Sequence, residues 1–309
     1  MKTLITAIFT AALLSTSSTW GWDSEGHMQV AEIAWQHLTP ATRTRVSTLL
    51  ELNPQYTTWI ENQPTAMRQQ VAFVTAATWP DYIKKAAGYI DDTDTAPAGA
   101  ASSQNIGYSD KFMHKYWHFI DTPFSTDSTA LVQPVAPNAK TQIDLFTTAI
   151  ASTVANDDIK SYDLVWLEHL VGDVHQPLHA TSRFSAALPK GDQGGNLVIL
   201  CGNPCNSKSE LHAYWDDVLG SSNSAATAIT AADTLPAAPA AGAAITDDQV
   251  WIIESFNAAQ QFVYASPVGP GKGPYTLSPA YKSKAKTEAK ARIELAGIRL
   301  ANLINNNLK

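Results

Sequence analysis

The chain has few charges and few cysteines for its length. Charged residues make up 16% of the 309 residues, and 21 Lys+Arg against 28 Asp+Glu give a formal net charge of −7. A continuous basic face that tracks nucleic acid is therefore not expected. The hydrophobic fraction of 45% is enough for a packed core, so an intrinsically disordered protein is excluded.

Beyond the N-terminus the chain also lacks a long apolar run, so no membrane insertion is expected. The first residues, MKTLITAIFTAALLSTSSTWGW, have one Lys, an apolar stretch and then small polar residues, which is typical of a secretory signal. The small residues Thr19 and Gly21 favour cleavage after Gly21, which would leave residues 22–309, and cleavage after Ser18 or Thr19 is the alternative. We expect an exported protein, secreted or periplasmic.

Only two cysteines are present, Cys201 and Cys205. A C-x-x-x-C pair can ligate metal, but a soft-metal site would need two more cysteines or nearby histidines in register. An even count in an exported chain favours a small disulfide loop.

Apolar residues recur with helical spacing along most of the chain, which indicates a mainly α, single-domain fold. Thr39 and Pro40 read as an N-cap and a first-turn proline that begin a helix to about Leu52. The other predicted helices are Glu25–Leu38, Thr65–Ala77, Thr141–Ala155, Tyr162–Val174, Leu211–Leu219, Asp248–Ala265 and Ser283–Asn306.

Little of the chain is predicted to be other than helical. Asn196–Cys201 is the one predicted strand, as part of a small hairpin, and Thr95–Asp110 is a predicted loop. The Ala/Pro-rich stretch of about 225–245 is predicted as a second loop, either a linker or an insertion. Helical patterns on both sides favour an insertion within one domain.

Histidine and aspartate recur at helical spacing in two apolar contexts. His169 and Asp173 lie four apart in WLEHLVGDV, and His212 and Asp216 lie four apart in LHAYWDDVL, so each pair shares one helix face. His179 follows Pro177, where a loop can return toward the first pair. Surface salt bridges also produce this spacing, but a buried carboxylate beside an imidazole is costly unless it is paired or bound to metal. Imidazole and carboxylate together favour zinc.

Five ordered motifs give the sequence its resemblance to a known family. These motifs are W-D-S-E-G-H at Trp22–His27, T-W-P-D-Y-I-K at Thr78–Lys84, W-H-F-I-D at Trp117–Asp121, H-L-V-G-D-V-H-Q-P-L-H at His169–His179 and L-H-A-Y-W-D at Leu211–Asp216. The chain resembles the zinc-dependent, single-strand-specific nucleases and 3′-nucleotidases of the S1/P1 nuclease family. The resemblance implies the multi-helix fold that this family shares with phospholipase C, with a small β-hairpin and a cleft for three Zn²⁺.

The resemblance also implies the ligands of the three ions. One zinc takes Asp81, His118, His169 and Asp173, and Asp173 bridges to a second zinc. The second zinc is held also by His27 and by Trp22 through its free α-amine and carbonyl oxygen, which is a further reason to expect cleavage after Gly21. The third zinc takes His179, His212 and Asp216. The histidines left over, which we interpret as structural, are His37, His114 and His175; Glu168 and Asp217, beside ligands, have no matching role.

By resemblance, the chain hydrolyses single-stranded RNA and DNA endonucleolytically to 5′-phosphate products and removes phosphate from 3′-mononucleotides. Zinc-activated hydroxide would attack phosphorus, with Asp81 and Asp173 holding the ions and Lys84 stabilising charge in the transition state. Phe119 would stack on the base, and the residues expected to complete its pocket are Asp121, Gly194 and Asn196. Core packing is the alternative for Phe119, and a surface lysine for Lys84.

Two other functions remain open from the sequence. A zinc-dependent phospholipase C shares the fold and the ligand order, but it carries Glu where this chain has Asp216 and lacks the G-G-N motif of Gly194–Asn196. A non-catalytic secreted zinc-binding protein would need closed coordination, whereas the implied sites keep positions open. No obligate protein partner is inferred.

Overall fold

The computed structural model describes residues 22–309, and the predicted signal peptide of residues 1–21, with its cleavage positions, lies outside the described residues. The described chain is mainly helical, which confirms the predicted fold class. The helices are α1 Ser24–His37, α2 Pro40–Leu50, α3 Tyr56–Ile60, α4 Arg68–Ala76, α5 Trp79–Ile83, α6 Ala139–Ala151, α7 Asp157–Asp173, α8 Leu211–Asp216, α9 Ala225–Ala232, α10 Ala240–Ala243, α11 Asp248–Ala258 and α12 Pro279–Asn307.

Polar side chains cap the N-termini of several helices. Thr39 accepts a hydrogen bond from the Thr42 N–H, with Pro40 in the first turn of α2, as predicted. Asn156 caps α7 in the same way through the Ile159 N–H, and Ser278 caps α12. α11 ends at Ala258, earlier than the predicted Ala265, because the chain continues as a π-helical turn over Ala259–Val263.

α7 lies at the centre of the fold, where α1, α2, α5, α6 and α12 pack around it. All of its residues from Lys160 to Asp173 are buried, so polar side chains on this helix point into the protein. Aromatic rings surround it: Trp166 on α7 makes an edge-to-face contact with Trp79 at a centroid distance of 6.4 Å, and another with Trp117 at 4.9 Å. Burial on every side gives α7 one defined orientation.

Two short sheets complete the structure. β1 Pro123–Ser125 pairs in parallel with β2 Ser182–Phe184, which the sequence pattern missed. β3 Ile199–Cys201 pairs antiparallel with β4 Lys208–Glu210 and confirms the predicted hairpin. The disulfide between Cys201 and Cys205 closes the loop between these strands, so the disulfide interpretation of the two cysteines is confirmed.

The prediction of a loop over about 225–245 is wrong, because this segment contains α9 and α10. Ser224 caps α9, and alanine is the strongest helix former. The small side chain of Ala228 lets α9 pack closely against Met28 on α1 and Val74 on α4. Thr95–Asp110 does remain a loop, with two short 3-10 turns.

Among residues 22–309, no helix combines the length and the apolar character that crossing a bilayer requires.

Candidate metal centre

The side chain of Asp173, at the end of α7, contacts four imidazoles. Its Oδ2 lies 3.1 Å from His169 Nε2 on the same helix and 3.1 Å from His118 Nδ1. Its Oδ1 lies 3.4 Å from His27 Nε2 on α1 and 3.4 Å from His179 Nδ1. His169 and Asp173 share one helix face, as their four-residue spacing predicted, and both belong to a larger cluster of side chains.

The described residues contain three groups whose donor atoms lie within 4.8 Å of one another and could hold a metal ion. The groups are His27, His169 and Asp173; Asp81, His118 and His169; and His179, His212 and Asp216. These residues are the predicted ligands other than Trp22, and all of them are buried. The first two groups share His169, so they form one continuous cluster.

Trp22 is fully buried beside this cluster. The Asp23 N–H donates to Asp216 O at 3.2 Å, which holds the segment next to α8. Gly172 on α7 permits the close approach of α1, because a Cβ at this position would lie 2.9 Å from His27 Nδ1 and 3.9 Å from Trp22 Cδ1. The His27 ring stacks on the His169 ring with centroids 3.8 Å apart.

Backbone carbonyls fix the tautomers of three of these histidines. The Nδ1–H groups of His169, His179 and His212 donate to Ala77 O at 2.8 Å, His118 O at 2.7 Å and Gly194 O at 2.7 Å. A carbonyl only accepts, so in each neutral ring the proton is on Nδ1 and the lone pair on Nε2. This arrangement directs three Nε2 lone pairs into the cluster, and it is the outer hydrogen bond that metal-binding histidines usually make.

Several buried ring-nitrogen and carboxylate-oxygen atoms at the centre of the site have no hydrogen-bond partner among the described residues. Within the described residues, both ring nitrogens of His27, His118 Nε2 and Asp173 Oδ1 are buried and make no hydrogen bond. In the third group, His179 Nε2 and His212 Nε2 lie 3.1 Å apart, so these two ring nitrogens converge. A buried set of imidazole and carboxylate donor atoms of this kind fits cations such as zinc.

A buried ion pair adds to the electrostatics of the site. Lys84 Nζ lies 2.8 Å from Asp81 Oδ1, and both side chains are nearly inaccessible to solvent. Burial on its own raises the pKa of the Asp81 carboxyl, but Lys84 and the neighbouring histidines outweigh it and hold that pKa below its usual range. Burial, reinforced by Lys84, lowers the pKa of His118 to about 3, so its ring is neutral and able to ligate metal.

The four predicted base-pocket residues fall into two places. Phe119 and Asp121 line a cavity of about 220 Å³, together with Lys190 and Gln193. Burial, with the nearby Asp192 carboxylate, raises the pKa of Asp121 to about 7. Gly194 and Asn196 instead lie beside His212.

The G-G-N segment is connected to both the cavity and the third group. Gly194 has a φ of +58°, and a side chain there would collide with Leu178 O. The Gly194 carbonyl accepts from His212 Nδ1, while Asn196 Nδ2 donates to Gln193 O at 2.6 Å. Gln193 lines the cavity, so one short loop contacts both places.

Sequence reasoning missed Gln176, which is fully buried. Its Nε2 donates to Asp216 Oδ1 at 2.6 Å, and its Oε1 accepts from the Leu178 N–H at 2.5 Å. The signal was its place in H-Q-P-L-H, between two expected ligands.

The remaining histidines differ in their surroundings. His114 stacks on Trp117 with centroids 3.5 Å apart and pairs with Asp110, whereas His175 bonds to Val171 O and to Arg299. His37 is exposed at the end of α1. Burial raises the pKa of the Glu168 carboxyl well above its usual range, and both of its oxygens make no hydrogen bond within the described residues.

Comparison with known proteins assigns the chain to a family. The sequence model of the S1/P1 Nuclease family matches residues 22–309. The chain belongs to the S1/P1 nuclease family. Endonuclease 4 of Arabidopsis thaliana is 24% identical over 216 residues, which are 64% of this chain and 55% of that protein. Endonuclease 3 of the same plant is 27% identical over 210 residues, which are 64% of this chain and 54% of that protein.

A third similar protein, Endonuclease 5 of Arabidopsis thaliana, is 43% identical over 56 residues, which are 18% of this chain and 16% of that protein. The matched stretch thus spans only about half the length of the first two relatives and less of the third. This member of the S1/P1 nuclease family thus contains three groups of side chains that could hold metal ions.

Proposed function

We propose that this protein is an exported, zinc-dependent phosphodiesterase. Its substrates are single-stranded RNA and DNA, cleaved endonucleolytically to 5′-phosphate products, and 3′-mononucleotides, which lose their phosphate. The observation that carries the proposal is the convergence of three buried His/Asp groups in a member of the S1/P1 nuclease family. The family match over residues 22–309 supports a single catalytic domain that follows a signal peptide.

We assign three zinc ions to these groups. Asp81, His118, His169 and Asp173 would hold the first ion, and Asp173, His27 and the backbone of Trp22 would hold the second. His179, His212 and Asp216 would hold the third. When bound, zinc supplies Lewis acidity, which lowers the pKa of water in the site and stabilises negative charge on phosphate oxygens.

The chain's own groups prepare the site for a phosphate ester. The outer hydrogen bonds of His169, His179 and His212 select the neutral tautomer whose lone pair is on Nε2, and they orient that atom inward. Lys84 contributes a buried positive charge next to Asp81, which favours the anionic substrate and the charge that develops during its hydrolysis. Such local charges attract phosphate even though the whole chain has a formal net charge of −7.

The cavity beside the metal groups supports a preference for single strands. Phe119 offers an aromatic face, and Asp121 offers a carboxyl group whose pKa of about 7 lets it accept or donate a hydrogen bond. Stacking on a side chain requires a base that has left its own stack, which a duplex does not supply. We therefore propose the nucleobase as the occupant of this cavity, with Gly194 and Asn196 at its border.

One assay series tests the proposal. The mature protein is analysed for zinc, and its activity is measured on single-stranded RNA, single-stranded DNA, duplex DNA, 3′-AMP and phosphatidylcholine, with and without a chelator. We expect close to three zinc ions per chain, chelator-sensitive release of 5′-phosphate products and little cleavage of duplex. Active protein with one zinc or none would overturn the three-ion centre, and phosphatidylcholine as the best substrate would establish a phospholipase C instead.

A further inference from the structure

A buried turn joins two of the proposed metal sites. The five residues Val174–Leu178 connect Asp173, which the first two ions share, to His179 of the third site. All five residues are buried, and Val174, His175 and Gln176 are fully buried. The conformation of this turn therefore sets the position of Asp173 relative to His179.

Side chains from α11 and α12 hold the backbone of the turn. Ser255 Oγ donates to Val174 O at 2.5 Å, and Arg292 Nε donates to His175 O at 3.2 Å. Arg292 also donates through its Nη2 to Ser255 Oγ at 2.5 Å, so that the two side chains support each other. Two consecutive carbonyls of the turn thus receive hydrogen bonds from one connected pair of residues.

The charge of Arg292 is compensated without involving the metal groups. Arg292 is 4% exposed, and its Nη1 donates to Glu254 Oε2 at 3.1 Å while Nη2 also donates to Trp251 O at 3.2 Å. Glu254 has a second partner in Arg299, which donates to it at 2.7 Å and 3.0 Å. Removal of Arg292 would therefore leave Glu254 paired, and no orphaned buried charge would obscure the effect on the turn.

We propose that Arg292, through Ser255 and the carbonyls of Val174 and His175, is a positioning residue that sets Asp173 and His179 at the spacing needed for zinc. The inference rests on the proposed metal sites. Arg292 does not touch the proposed ligands in the contacts described above; it acts through the turn. A fork of N–H donors suits this role, because a lysine ammonium cannot donate in the same fixed directions.

A matched control lies on the same helix. Asn305 Nδ2 donates to His37 O at 3.0 Å, and Asn305 Oδ1 accepts from the Thr39 N–H at 3.0 Å. Asn305 thus ties α12 to the turn between α1 and α2, which carries no proposed ligand. Asn305→Ala therefore serves as the control for a variant that only loosens α12.

The test compares Arg292→Gln, Arg292→Lys, Ser255→Ala and Asn305→Ala with the wild type. Zinc affinity is measured by competition with a chromophoric chelator, on protein whose folding is checked by circular dichroism. Loss of a partner bonded directly to a ligand weakens metal binding about 10-fold to 100-fold, and we expect Arg292→Gln, which acts through the turn, to weaken it by no more than this. Ser255→Ala and Arg292→Lys are expected to weaken it in the same direction, because charge alone does not hold the carbonyls. Asn305→Ala should retain the wild-type affinity.

Hydrogen exchange on the metal-free proteins gives a second readout. Amides of residues 175–179 should exchange faster in Arg292→Gln and Ser255→Ala than in the wild type or Asn305→Ala. Wild-type zinc affinity in both turn variants would overturn the inference while leaving the metal centre intact, and so would an equal loss in Asn305→Ala. A wild type that takes up no zinc would overturn the proposed function as well. If Arg292→Gln does not fold, Ser255→Ala, which loses only a hydroxyl, decides the outcome.

Discussion

The side-chain amide of Gln176 donates to Asp216 Oδ1 at 2.6 Å, so a residue of the turn after α7 orients a carboxylate on α8. Asp216 is buried, and burial raises the pKa of its carboxyl well above its usual range. A neutral amide donor lowers the cost of the ionised form without adding a competing positive charge. The third proposed metal site therefore depends on a hydrogen bond between two elements that are distant in the sequence.

Replacing Gln176 with leucine should weaken the third zinc site specifically. The change removes the donor to Asp216 with little change in volume, and an outer-partner loss of this kind costs about 10-fold to 100-fold in metal affinity. Elemental analysis after dialysis against a weak chelator should find one zinc fewer than in the wild type. Gln29→Leu is the control, because the buried Gln29 donates to Glu25 Oε1 at 3.4 Å and neither residue is a proposed ligand. Equal zinc content in both variants would contradict the prediction.

Asp173→Asn should have the largest effect on metal content. The Asp173 carboxylate contacts His169, His118 and His27, and the amide would replace an anionic oxygen with an N–H₂ group aimed at those rings. We expect loss of two zinc ions and a fall in activity beyond the roughly 10-fold to 100-fold effect of outer-partner changes. Metal analysis and rates at saturating zinc measure it; two retained ions would show that Asp173 is not shared.

Substitutions of Lys84 test whether its buried positive charge acts on the substrate. We expect Lys84→Met to lower kcat/KM about 100-fold to 1,000-fold, which is the range for loss of one group that stabilises transition-state charge. Lys84→Arg keeps the charge and should recover much of this loss. Zinc content must be measured in parallel, since Lys84 Nζ also contacts Asp81 Oδ1 at 2.8 Å. A rate loss that follows zinc loss would make Lys84 a residue that positions Asp81.

The parts of the site that the sequence predicts are those with local geometry. His169 and Asp173 share a helix face because of their spacing, and the apolar residues around them indicate burial. Their juxtaposition with His118 and His27 depends on packing between segments far apart in the chain, and only the family resemblance anticipates it. The contact between Gln176 and Asp216, like that between Arg292 and His175 O, has no periodic signal in the sequence.

Residues 225–245, which the sequence predicts as a loop, show that sequence patterns also miss tertiary contacts that decide the fold. Alanine and proline in residues 225–245 resemble a low-complexity connection when the stretch is considered alone. The same small side chains become an advantage once α1 and α4 are in place, because Ala228 then packs against Met28 and Val74. Tertiary contact thus decides between a loop and a helix where local composition does not.

Phe119→Ala should reduce binding of substrates that carry a base. Stacking on an aromatic side chain contributes about 1–3 kcal/mol per base, and the variant should lose this from the binding of 3′-AMP. Ribose 3-phosphate has no base, so its KM should be the same in the variant and the wild type. Phe119→Tyr keeps the ring and should behave like the wild type with both substrates. A comparable KM increase for ribose 3-phosphate would indicate that Phe119 supports the fold through its packing.

The surroundings of His114 predict a pH dependence of stability that is separate from the metal centre. Its ring is fully buried, with Nε2 3.0 Å from Asp110 Oδ2 and Nδ1 3.2 Å from Asp92 Oδ2. Burial on its own lowers the pKa of His114, but the two carboxylates outweigh it and raise the pKa above its usual value. The stabilising contribution of the charged ring is therefore fully present below about pH 6.5, the usual pKa of histidine, and is lost as the pH rises through the raised pKa.

Thermal unfolding of the wild type and His114→Gln, at saturating zinc and from about pH 5 to about pH 9, measures this contribution across the titration range. At the acid end the wild type should be more stable by about 1.5–3 kcal/mol, the range for a hydrogen bond to a charged group. The difference should shrink as the pH rises, because the wild-type ring loses its proton while glutamine does not titrate. His37→Gln, at an exposed position, should match the wild type throughout. A difference between the wild type and His114→Gln that stays constant or grows with pH would show that the ring stabilises the fold through its stacking on Trp117 and not through its charge.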